Sequence, residues 1–149
     1  MSHITLISGS TLGNAEDIAK YLSKQLNIFG FTTKIMHGPK LNELVLNGKW
    51  LVITSTYGSG ELPKNLQPLL EEIKQQKPNL SQIHFGAIGL GDSSYDYFCG
   101  AIKKINQELL RLGAKRIGQI LKIDALKYSS PRNYAEKWLV NWIQLHTTK

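Results

Sequence analysis

The segment KWLVITSTYGSGELPKN, residues 49–65, decides the fold, because it joins the most strand-like run of the chain to a glycine-containing loop. Residues 51–53 are adjacent and apolar, as in a strand of a parallel sheet that is covered on both faces. Tyr57 follows this strand and precedes Gly58 and Gly60. Its ring is expected to face a ligand or solvent, since a buried ring needs neighbours to cover it.

Strand-like and helix-like segments alternate on both sides of this run. The strand-like segments are residues 3–8, 31–36, 49–56, 83–90 and 116–124, and the helix-like segments are residues 15–29, 66–76, 98–112 and a closing helix from Pro131. The first helix is predicted to begin behind Asn14 as its N-cap. Such an alternation is typical of an α/β domain with right-handed crossovers. We therefore expect one doubly wound domain over residues 1–149, with helices on both faces of a parallel sheet.

The charge distribution limits the possible partners. The formal net charge is +7. Residues 1–75 hold 7 basic and 6 acidic residues (net +1), and residues 76–149 hold 11 basic and 5 acidic residues (net +6). Because the excess lies on predicted helices and a strand, a solvated face is favoured over nucleic-acid binding.

The N-terminal residues and the single cysteine indicate a location. The first residues read as a strand rather than an export signal, and no run is long enough to span a membrane. Cys99 is the single cysteine, which fits a reducing cytoplasm.

Three loops of small residues follow the first, third and fourth strands, whose carboxyl ends should meet at one edge of the sheet. The first loop, SGSTLGN (residues 8–14), leads into a helix N-terminus, where backbone N–H groups attract an anion such as a phosphate monoester. It lacks the lysine of a nucleotide-triphosphate loop. The other two loops offer Tyr57 and Tyr95, which could flank a planar heterocycle. The residues describe a flavin mononucleotide site and leave other planar phosphates open.

The three loops resemble those of the flavodoxins. Three segments show the resemblance: ITLISGSTLGNAE (residues 4–16), residues 50–66 with LVITST and GSG, and FGAIGLGDSSYDYFCGAI (residues 85–102). Similar loops, in forms like GSQTGNAE, TYGEGEPP and GLGDSSYEFFC, occur in the FMN modules of diflavin reductases. The resemblance extends over nearly the whole chain. It implies a flavodoxin-like fold, a five-stranded parallel sheet in the order 2-1-3-4-5, and FMN as the cofactor.

The resemblance also implies which residues bind the cofactor. The phosphate would be held by Ser8, Ser10, Thr11, Gly13 and Asn14, with Leu12 between them. The isoalloxazine ring would lie between Tyr57 and Tyr95, in a pocket completed by Gly89, Gly91, Asp92, Tyr97 and Phe98. Thr56 and Ser59 are further candidates, and Gly60 turns the loop. Gly58 stands where flavodoxins turn a backbone carbonyl toward the flavin nitrogen N5 after one-electron reduction, which predicts two separate one-electron steps.

Two features depart from the family's pattern. Flavodoxins are typically acidic, whereas this chain is basic. The two ring loops nevertheless hold Glu61, Asp92 and Asp96 against Lys64, so we expect a molecule that is acidic at the flavin edge and basic elsewhere. Ser59 stands where many relatives carry an acid, which removes one charge near the ring.

Several residues have a simpler interpretation than a functional one. Cys99 opens an apolar helix face and is expected to be a buried structural thiol. Phe98 is expected to pack into the core. The four histidines show no metal-ligand spacing, so no metal is expected. The cluster of Lys103, Lys104, Arg111, Lys115 and Arg116 is interpreted as a solvated face.

The resemblance implies a non-enzymatic electron carrier. Its partners would be a separate reductase of the flavodoxin or ferredoxin type and an acceptor, with a radical enzyme such as biotin synthase as one candidate. The alternative is a flavin enzyme such as a quinone reductase, which needs an open substrate cavity. A receiver domain is disfavoured, because residues 54–56 lack its phosphoacceptor aspartate. We expect a cytoplasmic monomer.

Overall fold

The computed structural model describes residues 3–10, 13–57, 60–92, 99–124 and 130–147. Its strands are β1 (His3–Gly9), β2 (Thr32–His37), β3 (Gly48–Ser55), β4 (Ile83–Gly91), β5 (Lys115–Arg116) and β6 (Leu121–Asp124). Its α-helices are α1 (Asn14–Ile28), α2 (Gln67–Gln76), α3 (Gly100–Arg111) and α4 (Pro131–Thr147), and a short 3-10 helix spans Leu41–Glu43. The predicted alternation of strands and helices is confirmed.

The strands form one parallel sheet in the order β2-β1-β3-β4-β5, and β6 also pairs with β4. The doubly wound α/β architecture and the strand order 2-1-3-4-5 are therefore confirmed. The fifth position of the sheet is occupied by two short strands rather than by one.

The prediction of a single strand over residues 116–124 was wrong, because the strand pairing is interrupted between β5 and β6, after Ile117 N donates to the Phe85 carbonyl at 2.8 Å. Gly118 has a φ of +78°, a conformation that an extended strand does not use. Side chains bind the backbone carbonyls of this interruption: Arg116 Nε donates to the Gly118 carbonyl at 3.0 Å, and Trp138 Nε1 donates to the Gln119 carbonyl at 3.0 Å. The strand pattern alone does not reveal these side-chain bonds.

The sheet separates two hydrophobic cores. Helices α1 and α4 cover the face that carries Leu6, Leu51 and Ile53, while α2 and α3 cover the face that carries Ile7, Val52 and Phe85. Neighbouring residues of one strand enter different cores, since successive side chains point to opposite faces. This explains why four consecutive residues of β3, residues 50–53, are all apolar.

Helix α4 lies directly on the sheet at Gly86. A Cβ atom at this position would lie 2.7 Å from Trp142 Nε1 and 2.8 Å from Trp138 Cη2. The two indole rings stack with their centroids 5.7 Å apart. Gly86 therefore provides the space that the two tryptophans occupy.

Candidate functional site

The carboxyl ends of β1, β3 and β4 lie side by side at one edge of the sheet. In the strand register, Gly9 pairs with Thr54, and Thr54 pairs with Gly89. Ten of the predicted site residues lie at this edge or directly after it: Ser8, Ser10, Gly13, Asn14, Thr56, Tyr57, Gly60, Gly89, Gly91 and Asp92. The other seven lie outside the described residues: Thr11, Leu12, Gly58, Ser59, Tyr95, Tyr97 and Phe98.

The first loop ends in a glycine that caps α1. Gly13 is the N-cap residue with a φ of +86°, and Asn14 is the first helical residue, so the prediction of Asn14 as the N-cap was wrong by one position. The N–H of Gly13 donates to Ser10 Oγ at 3.0 Å. An α-helix leaves the N–H groups of its first turn without intrahelical acceptors, so α1 directs donors and the positive end of its dipole toward this loop.

An acidic and an imidazole side chain, neither of them predicted, also reach the first loop. Ser10 Oγ donates to Glu16 Oε2, and Ser8 Oγ is hydrogen-bonded to His37 Nδ1. His37 Nδ1 lies 3.9 Å from Glu16 Oε1. Both serines are buried, and the Glu16 side chain is 16% exposed. A phosphate that receives the Ser10 proton must therefore displace the Glu16 carboxylate.

The strand pairing explains why these two residues meet. Because β1 and β2 are parallel neighbours, His37 lies opposite Ser8 in the register. Glu16 is in the first turn of α1, next to the loop that precedes the helix. Both residues stand at or next to the ends of predicted elements, which is the sequence signal that could have indicated them.

The turn before α2 also contacts the first loop. A Cβ atom on Gly9 would lie 2.8 Å from Leu66 Cβ and 3.2 Å from Asn65 Oδ1. Asn65 is exposed and was not among the predicted site residues. Its amide is a further polar group beside the first loop.

The second loop closes on itself after β3. Tyr57 N donates to the Glu61 carbonyl at 2.8 Å, and Glu61 N donates to the Tyr57 carbonyl at 2.8 Å. The Tyr57 side chain is 52% exposed. Its ring is therefore accessible at the sheet edge, in agreement with the sequence expectation.

The second loop packs against the N-terminus of α3, which follows the third loop. A Cβ atom on Gly100 would lie 2.8 Å from Gly60 Cα, so the two backbones meet where neither residue has a side chain. Ala101 N donates to Thr56 Oγ1 at 3.3 Å, and Thr56 N donates to the Leu90 carbonyl at 2.9 Å. A displacement of α3 would therefore displace the loop that carries Tyr57.

Cys99 lies behind this edge and has no solvent exposure. Burial raises the pKa of its thiol to about 11, although the nearby Lys122 and Lys103 oppose this increase. A thiol with this pKa stays protonated at neutral pH and is a poor nucleophile. The prediction of a buried structural thiol is confirmed.

The described residues fit a phosphorylated planar cofactor. The N-terminus of α1 and the Ser10 hydroxyl supply donors for an anion, and the exposed Tyr57 ring lies at the same edge. The buried Glu16 Oε1 atom has no hydrogen-bond partner among the described residues, so this carboxylate is incompletely satisfied in its position. The other oxygen, Glu16 Oε2, holds the Ser10 proton that a bound phosphate would accept.

The described ranges contain neither a metal-binding cluster nor a membrane-spanning helix. His, Cys, Asp and Glu side chains form no group of three or more there that is suited to a metal ion. None of the helices in this part of the chain combines the length and apolar character that crossing a bilayer requires.

Comparisons with known proteins identify the family. The sequence model of the flavodoxin family matches residues 6–138. The chain is 52% identical over 145 residues to Protein MioC of Escherichia coli, which covers 97% of this chain and 99% of that protein. It is 37% identical over 139 residues to the flavoprotein alpha-component of the NADPH sulfite reductase of Bacillus subtilis, covering 91% of this chain and 22% of that protein.

A solved structure agrees with these sequence matches. A cysteine-to-alanine mutant of a flavodoxin from Pseudomonas aeruginosa superposes with a TM-score of 0.89 at 36% identity, over 96% of this chain and 97% of that one. The chain therefore belongs to the flavodoxin family, whose members bind FMN and carry electrons rather than act as enzymes.

Proposed function

We propose that this protein binds FMN at the edge formed by the three loops and carries single electrons between a separate reductase and an acceptor protein. The observation that carries the proposal is the position of the α1 N-terminus and Ser10 at the same sheet edge as the exposed Tyr57 ring. One end of this arrangement suits a phosphate and the other suits a flat aromatic ring.

Each described group has a distinct role in this proposal. The first-turn N–H groups of α1 and the Ser10 hydroxyl bind the phosphate. The hydrogen bond between Ser8 and His37 stabilises the start of the loop. Tyr57 covers one face of the flavin ring and shields it from water. Thr56, Gly60 and Gly100 hold the Tyr57 loop against α3. Bound FMN supplies the redox chemistry, and the protein supplies orientation and electrostatics.

The remaining assignments rest on the sequence resemblance. Thr11 and Leu12 belong to the proposed phosphate loop, and Tyr95, Tyr97 and Phe98 to the ring pocket. Gly58 and Ser59 are proposed to lie at the ring edge, where the Gly58 peptide responds to reduction. Gly89, Gly91 and Asp92 are proposed to line the ring pocket from β4.

The partners are proposed by class. The sulfite reductase component named above is an NADPH flavoprotein of which this chain matches only 22%. This likeness supports a flavoprotein reductase as the class of the electron donor. The acceptor is proposed to be an enzyme that needs low-potential electrons, such as a radical enzyme of the biotin synthase type. The buried free thiol of Cys99 suits a reducing compartment such as the cytoplasm.

Titration of the purified, flavin-free protein with FMN, FAD and riboflavin tests the cofactor assignment. We expect stoichiometric binding of FMN with quenched flavin fluorescence and weaker binding of riboflavin, which lacks the phosphate. Ser10→Ala should weaken FMN binding and leave riboflavin binding unchanged. Tyr57→Ala should weaken binding of both flavins, because the ring is common to them.

Electron transfer is tested with the FMN-loaded protein. After photoreduction with EDTA as the donor, the protein should reduce cytochrome c directly and should show no turnover of NADPH with a quinone in the absence of a reductase. Rapid NADPH-quinone turnover by the protein alone would instead support the flavin-enzyme alternative.

A further inference from the structure

The positive charge of the chain is concentrated in the segment of α3, β5 and β6. Residues 99–124 hold six basic residues against Glu108 and Asp124, a net charge of +4 out of +7 for the whole chain. We call these six the basic stripe: Lys103, Lys104, Arg111, Lys115, Arg116 and Lys122. All of them are exposed except Arg116, which is half-buried, whereas Asp124 is buried.

The fold brings the basic stripe together on α3 and the β5/β6 edge. Arg116 Nη1 donates to Asn106 Oδ1 of α3 at 2.9 Å, which fixes β5 against this helix. In β6, Ile123 belongs to the core under α1 and α4, so the neighbouring Lys122 points to the opposite face, where α3 lies. Arg116 and Lys122 therefore lie on the same face of the sheet as α3. Lys115 pairs in register with His84, the residue before Phe85, and so points to the other face at the sheet edge.

Four lysines of the stripe are available to a partner. Arg111 is paired with Glu108 at 2.8 Å, and Arg116 is held by Asn106 and the Gly118 carbonyl, so both arginines have structural roles. Lys103, Lys104, Lys115 and Lys122 form no ion pair with a carboxylate of the described residues. Their charges are therefore not neutralised within that part of the chain.

The stripe ends beside the proposed flavin site. Lys122 pairs in register with Gly89, near the carboxyl end of β4, and Gly89 lies under Ile102, the residue before Lys103. Both lysines are also close enough to act electrostatically on Cys99, which directly follows the third loop. The other side of the site carries Glu61 and Asp92, so positive charge reaches one flank of an edge that the sequence predicted to be acidic.

We propose that the basic stripe docks a redox protein whose surface is rich in carboxylates, and that docking brings its redox centre to the third-loop side of the bound FMN. This inference rests on the proposed function. Opposite charges increase the rate of encounter and orient the partner, whereas electron transfer occurs where the stripe meets the flavin. The typical arrangement, an acidic flavodoxin on a basic partner, is thus reversed on this flank.

A protein occupant is favoured over a nucleic acid. Residues 99–124 contain no Phe, Tyr or Trp side chain, so the stripe offers no platform on which single-stranded bases could stack. Its end at the proposed cofactor site also suits a partner that exchanges electrons.

Two forms of cytochrome c provide matched probes. The unmodified protein is basic, and the lysine-succinylated form presents carboxylates around the same haem. In the reaction, one electron passes from the photoreduced flavin to the ferric haem, which becomes ferrous. Stopped-flow rates are measured with the FMN-loaded protein as ionic strength rises from about 0.01 M to about 0.15 M. We expect the rate with the succinylated form to fall by about tenfold or more over this range.

Charge-reversed variants localise the effect. Lys103→Glu combined with Lys122→Glu should lower the low-salt rate with the succinylated form by about tenfold, because the attraction at the flavin flank is reversed. Lys20→Glu combined with Lys24→Glu is the matched control: it changes the net charge by the same amount, but on the exposed side of α1, which covers the other face of the sheet. The rate of this variant should stay within about twofold of the rate of the unmodified protein. FMN content and the circular dichroism spectrum confirm that each variant is folded.

Three outcomes would overturn the docking proposal. The first is a faster low-salt reaction with unmodified cytochrome c, and the second is an equal loss of rate in both double variants. The third is a single-stranded DNA oligonucleotide that blocks the reaction at about 0.15 M ionic strength, which would assign the stripe to nucleic acid. Failure to reduce either form of cytochrome c would instead refute the proposed electron-carrier function.

Discussion

Replacing Glu16 with glutamine tests whether this carboxylate competes with the cofactor phosphate. The Ser10 hydroxyl has one proton, which it donates to Glu16, and its oxygen accepts the Gly13 N–H. A phosphate that receives this proton must therefore break a hydrogen bond to a charged acceptor. Glutamine retains the size of glutamate but offers a neutral acceptor. We predict that Glu16→Gln binds FMN more tightly than the unmodified protein.

The size of the effect follows from the two kinds of hydrogen bond. A hydrogen bond to a charged group contributes about 1.5–3 kcal/mol, and one between neutral groups about 0.5–1.5 kcal/mol. The competing bond should thus weaken by about 1–1.5 kcal/mol, which corresponds to an increase of roughly 5- to 13-fold in FMN affinity. Removing a negative charge beside the phosphate acts in the same direction, so this range is a lower bound.

The assay is a fluorescence titration of the flavin-free protein with FMN and with riboflavin. Riboflavin affinity should not change, because riboflavin has no phosphate to compete with Glu16. Asp17→Asn is the matched control, since Asp17 is an exposed acid in the same helical turn. It reports any general effect of removing a charge near the α1 N-terminus. A loss of FMN affinity in Glu16→Gln would show that Glu16 orients Ser10 for the phosphate, and it would refute the competition.

The remaining predictions concern the packing around the site. Gly100→Ala should weaken binding of both flavins, because its Cβ would press on Gly60 Cα at 2.8 Å; at an ordinary helical position the same change would add about 1 kcal/mol of helix stability. Gly86→Ala should lower the free energy of unfolding by about 1–3 kcal/mol in urea titrations, because the new methyl group meets Trp138 and Trp142. Between pH 9 and about pH 11 the unfolded chain releases the Cys99 proton while the folded protein retains it. The free energy of unfolding should therefore fall faster with pH in the unmodified protein than in Cys99→Ala.

The fold was largely predictable because two signals agree along the chain. Apolar runs such as residues 51–53 mark strands buried on both faces, and glycines and prolines mark the ends of the helices between them. The main exception is the fifth strand position. There Trp138, about twenty residues away in sequence, binds the Gln119 carbonyl, and tertiary contacts of this kind override a local strand pattern.

The position of the three loops at one edge of the sheet followed from the predicted fold, because the carboxyl ends of parallel strands share an edge. The close approach of Gly60 and Gly100 was not predicted, because it depends on how α3 packs against the second loop. A glycine in a loop sequence indicates only that the backbone can adopt many conformations. Whether the glycine forms a turn or allows a close contact depends on which part of the fold packs against it.

Glu16 and His37 show why a side-chain network is harder to predict than a loop. His37 reaches Ser8 only through the register of β1 and β2. Glu16 reaches Ser10 only because the helix begins at Asn14, with Gly13 as its N-cap, one residue earlier than predicted. A shift of one residue in either element would turn the side chain away from the loop. The charges around this loop therefore cannot be read from the loop sequence alone, which contains no basic residue. The Glu16 carboxylate of α1 also binds the Ser10 hydroxyl, which is the group proposed to bind phosphate, so FMN binding must depend mainly on backbone donors and on the ring loops.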